Sequence, residues 1–361
     1  MFKVFLVVFS IILLSVPMFA FYLNSLKNEV YTSNFGKYGT DGKTFNLINE
    51  RPDYNSKENK KRFSFMATMK YLFGKNPDAW QHEEIIVNQA IPGTPPVDSS
   101  IKAYFINHST VLIQTLGLNI ITDPIYSKKA GPLNMVGAKR HHIPGIKFED
   151  LPKIDIILLS HSHYDHMDYK TLKKLIARDN PKIITPQGND YLLKKINKNV
   201  DVTPLLWEES TKYKGLTISV EKAYHWSFRR LYDLNKALWG SFVIDNGTNK
   251  IFFAGDTAFA DGKIFEELQS KHKSFALSFI PIGAYEPNEY LKYSHANPHE
   301  AVQIHKIIKS NKTVAIHFGT FQLSKEKYRQ PQEDLEKSKQ ILHVNTEDFI
   351  ALQPGASINI K

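Results

Sequence analysis

Leu158-Leu159-Ser160-His161-Ser162-His163-Tyr164-Asp165-His166-Met167-Asp168 is the stretch that decides how this chain folds and what it can hold. The apolar run from Ile154 to Leu159 leading into it is short and continuous, as a buried strand requires. The polar cluster therefore begins where a strand ends. In extended chain, residues two apart project to the same side, so His161 and His163 can bind one ion together. Asp165 and His166, further round the loop, can reach a second ion beside it. Neutral imidazoles suit zinc, and an added carboxylate makes a harder second position that also accepts iron or manganese. A lone histidine is usually a surface or satisfied core residue. Three histidines and an aspartate within six positions at a strand end are not readily explained that way.

Such a cluster cannot close two metal sites alone, and three later strand ends offer what is missing. His225 follows the strand pattern of Leu216 to Ala223. Asp256 follows Ile251-Phe252-Phe253-Ala254-Gly255, where glycine lets the backbone turn the carboxylate inward. His317 closes Val314-Ala315-Ile316. Each is a polar residue delivered at the C-terminal edge of an apolar strand, and each taken singly also reads as a turn aspartate or a rim histidine.

Working outward, Ile101 to Ile106, Thr110 to Thr115 and Ile120 to Thr122 read as strands rich in branched and aromatic residues. Thr171 to Ala177 suits a helix and Lys182 to Thr185 a strand. Further strands are Gly240 to Ile244, Phe275 to Ile280 and Thr313 to Ile316. Asn297-Pro298-His299-Glu300 is a helix start, with an asparagine cap, proline at the first helical position and a glutamate to close a capping box. Strands first, then strands alternating with helices, fit two sheets flanked by helices: an α/β fold of the αββα sandwich type. Residues 101–361 make this catalytic domain, residues 24–100 a linker and flanking region, and residues 1–23 a membrane anchor or signal segment.

The motif H-x-H-x-D-H with a later His, Gly-Asp and His resembles the metallo-β-lactamase superfamily. Several stretches are similar, more narrowly, to the N-acylphosphatidylethanolamine-hydrolysing phospholipase D group and its bacterial relatives. They are Ser160 to Asp168, Trp239-Gly240-Ser241, Phe252 to Thr257, Ile280-Pro-Ile-Gly-Ala-Tyr-Glu-Pro287 and Ala315 to Phe321. The resemblance runs from about residue 100 to about residue 330. It implies one zinc ion on His161, His163 and His225, a second on Asp165, His166 and His317, and Asp256 bridging the two. Asp165 is then both ligand and a catalytic group that orients water or passes a proton. His295 matches a histidine near the active site of those relatives and would meet phosphate or the leaving group; a loop histidine capping nearby backbone explains it equally well. Tyr285 and Glu286 would shape the substrate pocket, or else only a turn. His108 and Asp123, at early strand ends, would support the ligands through hydrogen bonds. Lys139, Arg140, His141 and His142 form a basic loop, read as a solvated surface run ahead of a phosphate contact.

Composition limits the alternatives. The 361 residues hold no cysteine, which excludes disulfides, thiolate zinc ligands and thiol nucleophiles. The formal charge of +10 favours anionic partners. No basic stripe interleaved with aromatics appears, so nucleic acid is not expected. Val4 to Leu23 is uncharged and long enough to span a bilayer, with Lys3 before it and no A-x-A cleavage pattern near its end. An uncleaved anchor follows, with the body on the extracytoplasmic side. The expected partner is a phospholipid or membrane surface, and the expected reaction is cleavage of a phospholipid phosphodiester to phosphatidic acid and an N-acylethanolamine. The competing reading keeps the fold and changes the substrate to a soluble lactone or phosphodiester. A scaffold without catalysis is disfavoured because every ligand position is filled. Oligomeric state leaves no mark in the sequence.

Overall fold

Two seven-stranded sheets stack face to face, and every ligand candidate lies at their shared rim. A computed structural model describes residues 22–39, 43–45, 79–80 and 85–361. The expected anchor, as far as residue 21, lies outside the described residues, and so does the stretch Phe63 to Phe73, whose sequence reads as an amphipathic helix packing on the main body. Among the described residues no helix is long and apolar enough to cross a membrane.

The first sheet runs in the order β16-β1-β2-β3-β6-β7-β8. Its strands are β1 (Ile101–Asn107), β2 (Thr110–Thr115), β3 (Leu118–Thr122), β6 (Ile156–Leu158), β7 (Lys182–Pro186), β8 (Val202–Leu205) and β16 (Ser357–Ile360). The second runs β15-β14-β13-β12-β11-β10-β9, from β9 (Ser210–Tyr213), β10 (Leu216–Glu221), β11 (Ser241–Asp245), β12 (Lys250–Phe253), β13 (Phe275–Pro281), β14 (Ser310–Ile316) and β15 (Phe349–Ile350). A small ribbon, β4 (Lys129–Ala130) with β5 (Ala138–Lys139), projects from the first. The αββα expectation holds.

Strand β6 shows why its sequence is apolar throughout. Ile156 and Leu158 join the core between the sheets, whereas Ile157 and Leu159 point the other way, onto Leu172, Leu175 and Ile176 of the helix Tyr169–Asp179. Successive residues of a strand face opposite sides, so a strand covered on both faces must be apolar at every position. Ile120 and Ile121 of β3 divide in the same way. Each such side chain removed from water contributes roughly 1.5–3 kcal/mol, which holds the two sheets in register with one another.

The helix Pro298–Ile307 covers β13 and β14, and its start is capped as expected. The Asn297 side chain accepts from the Glu300 N–H at 2.9 Å, and Glu300 accepts from the Asn297 N–H at 2.9 Å. The helix Gln330–Ile341 packs on that one. Part of the flanking region belongs to the same body: Ala90 donates to the Gly145 carbonyl, and Gln114 reaches the Gly93 carbonyl. Residues 22–28 form a helix, and the chain after it is bonded to Asp233, Arg230, Gln187 and Glu208 of the main body.

Candidate metal centre

The loop after β6 begins with Leu159 and Ser160 still bound to neighbouring strands, then turns sharply. The His166 and Met167 amides both donate to the His163 carbonyl, closing the turn. Asp168 ends it by capping the helix Tyr169–Asp179, accepting from the Lys170 N–H and from the Thr171 hydroxyl. Its carboxylate also holds the Tyr126 and Ser127 amides, so the last acid of the motif is a structural one. Arg229 supports the turn from outside. Its Nη1 donates to the carbonyls of Ser162 and Met167 at 3.1 and 2.7 Å, and its guanidinium lies over the rings of Tyr164 and Tyr169.

Three nitrogens meet on one side of the site. His161 Nε2 lies 2.8 Å from His163 Nδ1, which lies 3.1 Å from His225 Nε2. On the other side His166 Nε2 and His317 Nε2 stand 3.3 and 3.4 Å from Asp165 Oδ2. Asp256 Oδ2 lies between the two groups, 3.2 Å from His166 Nε2, 3.1 Å from His317 Nε2, 3.7 Å from His225 Nε2 and 3.9 Å from His161 Nε2.

The hydrogen bonds behind these rings fix which nitrogens carry lone pairs. His225 Nδ1 faces the Ser294 carbonyl at 2.9 Å and must donate to it, which leaves Nε2 bare. His166 Nδ1 likewise donates to Asp123 Oδ2 at 2.7 Å. The Ser160 hydroxyl donates to the same Asp123 carboxylate at 2.6 Å, so it accepts from His161 Nδ1 at 2.9 Å. His161 and His225 thus aim unprotonated Nε2 atoms inward, and His166 aims its Nε2 at the same space; burial opposes charge on His166, but Asp256, Asp165 and Asp123 lift that ring well above the ordinary histidine range. His163 Nε2, His166 Nε2, His317 Nε2 and Asp256 Oδ1 are buried with no hydrogen-bond partner. Converging lone pairs and buried acceptors repel one another unless cations lie among them. The donor set fits two divalent ions.

Electrostatics agree. Burial drives His161 and His225 well below the ordinary histidine range and His163 down to about 4, keeping those rings neutral. Burial also opposes charge on His317, but Asp256 and Asp165 outweigh it and lift that ring to about 9. The side of the cavity lined by two carboxylates therefore stabilises positive charge.

Backbone strain marks the same place. His108, Asp123 and His317 have φ of 45°, 33° and 60°, a left-handed region that costs such residues about 1–3 kcal/mol each. Gly255 has φ 59°, and a Cβ there would come within 2.8 Å of the Ser160 Cβ, so glycine is what lets Asp256 enter.

The structure brings together His161, His163, Asp165, His166, His225, Asp256 and His317. His295 joins them, its Nδ1 buried, without a partner and 3.9 Å from Asp256 Oδ2. His108 Nε2 bonds Asp165 Oδ2 at 2.9 Å, and Asp123 holds His166, as their strand-end positions implied. Tyr285 is elsewhere engaged: its hydroxyl donates to Asp334 at 2.7 Å, on the helix Gln330–Ile341. The Glu286 backbone is tied to Glu326 and Lys325. The basic loop is not a solvated run. Arg140 turns inward to the carbonyls of Ile125 and Ser127, and His142 is buried against the Thr320 hydroxyl. Arg229 and Trp226, whose ring lies 4.5 Å from that of His163, were not singled out from the sequence. Trp226 adjoins His225 in the sequence, and that adjacency is its signal; nothing local marks Arg229.

The family model for the Beta-lactamase superfamily domain matches residues 118–318, and the chain belongs to that superfamily of metal-dependent hydrolases. The chain is 36% identical over 251 residues to N-acyl-phosphatidylethanolamine-hydrolyzing phospholipase D 1 of Caenorhabditis elegans, covering 66% of this chain and 70% of that one. It is 35% identical over 230 residues to the mitochondrial N-acyl-phosphatidylethanolamine-hydrolyzing phospholipase D of Saccharomyces cerevisiae, covering 61% of this chain and 48% of that protein. Among solved structures, the metallo hydrolase Igni18 of Ignicoccus hospitalis shares the fold at a TM-score of 0.52 and 18% identity, covering 73% of this chain and 99% of its own.

Proposed function

We propose that this protein is a membrane-associated phospholipase of the D type, hydrolysing N-acylated phosphatidylethanolamine to an N-acylethanolamine and phosphatidic acid. The observation that carries the reading is the 36% identity to the nematode enzyme over two-thirds of the chain. The apolar stretch before residue 24 supports the membrane association and a body on the extracytoplasmic side.

In this reading His161, His163 and His225 would hold one divalent ion and Asp165, His166 and His317 the other, with Asp256 available to both; zinc suits the donors, and iron or manganese fit them too. When bound, the pair supplies a water of lowered pKa and neutralises charge on phosphoryl oxygens. Asp165, fixed by His108, would orient the attacking water and take its proton. The water oxygen joins phosphorus, the bond from phosphorus to the ethanolamine oxygen breaks, and that oxygen leaves with a proton. His295, with a free buried nitrogen beside Asp256, is placed to meet the phosphate or the departing oxygen.

The test incubates the full chain, purified in detergent, with mixed phospholipids containing the N-acylated lipid, and reads products by mass spectrometry. Both products are expected from the unmutated protein and neither from Asp165→Asn. If protein holding its two metals leaves every lipid intact, the substrate reading falls, and soluble lactones and phosphodiesters are next.

A further inference from the structure

The segment Trp226-Ser227-Phe228-Arg229-Arg230-Leu231-Tyr232-Asp233-Leu234-Asn235-Lys236 is built inside out. Its polar residues Ser227, Arg229, Asp233 and Asn235 are buried, at most 9% exposed. Its apolar residues face outward: Phe228 is 38% exposed, Leu231 59%, Tyr232 50% and Leu234 54%. A loop that met only water would be arranged the other way.

The inversion is fixed by bonds. Asp233 accepts from the Arg229 N–H and from the Tyr31 hydroxyl, both at 2.9 Å. Asn235 Oδ1 accepts from the Ser227 N–H at 3.0 Å. Tyr232 is held at φ 67°, where a bulky side chain is rare, and this turn directs the apolar tips away from the body.

Two relationships say what the tips face. The chain leaving the apolar stretch Val4 to Leu23 is clamped to this loop. Lys236 Nζ donates to the carbonyls of Leu26, Lys27 and Glu29, and Arg230 bonds both Glu29 and the Tyr31 hydroxyl. Residues 22–28 are helical, so the apolar stretch ends only ~10 Å along the axis from the clamp. On the inner side, the Phe228 ring lies 6.2 Å from that of Trp226, which lies 4.5 Å from that of His163. An aromatic path thus joins the exposed tips to the metal centre.

We infer that Phe228, Leu231, Tyr232 and Leu234 insert into the surface of a phospholipid bilayer, and that the Trp226–Phe228 stack lies along the route from the bilayer to the centre. The anchor sets the distance and the loop sets the orientation, turning the centre towards the lipid. The route rests on the lipid-substrate reading; the insertion does not.

The absence of cysteine makes the test clean, because a single introduced thiol takes a single label. Full-length Leu231→Cys, carrying an environment-sensitive fluorophore, is reconstituted in phosphatidylethanolamine–phosphatidylglycerol vesicles containing nitroxide-labelled lipids. Ile341→Cys, 65% exposed at the end of the helix Gln330–Ile341, is equally tethered and serves as the control. The label at 231 is expected to shift to the blue and be quenched, and the label at 341 to do neither. A label at 231 that behaves like the one at 341 overturns insertion. In parallel, Leu231→Ser/Leu234→Ser should lower turnover of phospholipid in vesicles roughly tenfold and leave turnover of a soluble aryl phosphodiester unchanged. Equal loss on both substrates, or no loss on either, overturns the route. Insertion without hydrolysis of any phospholipid keeps insertion and overturns the proposed substrate; hydrolysis with the label at 231 in water does the reverse.

Discussion

Asp123 holds His166 by a 2.7 Å hydrogen bond from Nδ1, and the same carboxylate anchors Ser160, which in turn positions His161. One buried acid therefore orients a histidine on each side of the centre. Asp123→Asn keeps the shape but offers an amide where three donors, the Ser160 amide and hydroxyl and His166 Nδ1, expect a carboxylate. Its metal affinity should fall about 10–100-fold, read by competition with a chromogenic chelator. Unchanged affinity would mean that the two imidazoles are oriented by packing alone.

Gly283 touches the backbone of His317. A Cβ there would lie 2.1 Å from the His317 carbonyl oxygen, closer than any real contact. Gly283→Ala should cost about 1–3 kcal/mol in urea unfolding of the metal-free protein and reduce bound metal towards one ion per chain. Full metal content in the variant would show that β14 can move without releasing its ligand.

Removing the metals leaves two carboxylates, Asp165 and Asp256, facing buried imidazoles with nothing between them. Dialysis against a chelator should abolish hydrolysis and lower Tm. Restoring free cation to about a hundred times its dissociation constant should return about 2.7 kcal/mol for each ion bound. Calorimetry with and without added zinc, iron(II) and manganese checks this and ranks the ions.

Acid should loosen the strap that follows residue 29 at a second point. Glu208 accepts from Lys37 at 2.8 Å and from the Tyr38 hydroxyl at 2.5 Å, with Lys222 3.7 Å away. Burial opposes its charge, but Lys37 and Tyr38 prevail and its pKa falls from 4.5 to about 2. A depressed folded value means the contribution is complete above pH 4.5 and disappears as pH falls to about 2. The urea midpoints of the unmutated protein and Glu208→Gln should differ slightly at pH 6 and converge near pH 2; a constant gap would show that the bond carries no ionic contribution.

Most of the centre was legible because its ligands share one grammar: an apolar strand, then a polar residue at its C-terminal edge. Ile154 to Leu159 before His161 and Val314 to Ile316 before His317 both obey it. What was hidden depends on partners distant in sequence. Ser357–Ile360 alternates weakly and becomes a strand only because Ile360 pairs with Ile101 at a sheet edge. Tyr285 stands in a motif that suggests a pocket, yet Asp334 takes its hydroxyl. Arg140 and His142 look solvated until Thr320 and the carbonyls of Ile125 and Ser127 are folded against them. The loop after His225 defeats pattern reading outright, since its polar and apolar positions have exchanged their usual sides.

The proposed ligands are drawn from both sheets: His161, His163, Asp165 and His166 from the first, His225, Asp256 and His317 from the second. During synthesis the first four emerge as one group, while the last follows more than a hundred residues later. Complete loading of the centre must therefore wait until the second sheet has been made, and a ribosome-bound chain ending before residue 317 lacks a full set of donors. Cations held as proposed would act as a clasp between the two halves, fastened at the end of assembly rather than at its beginning.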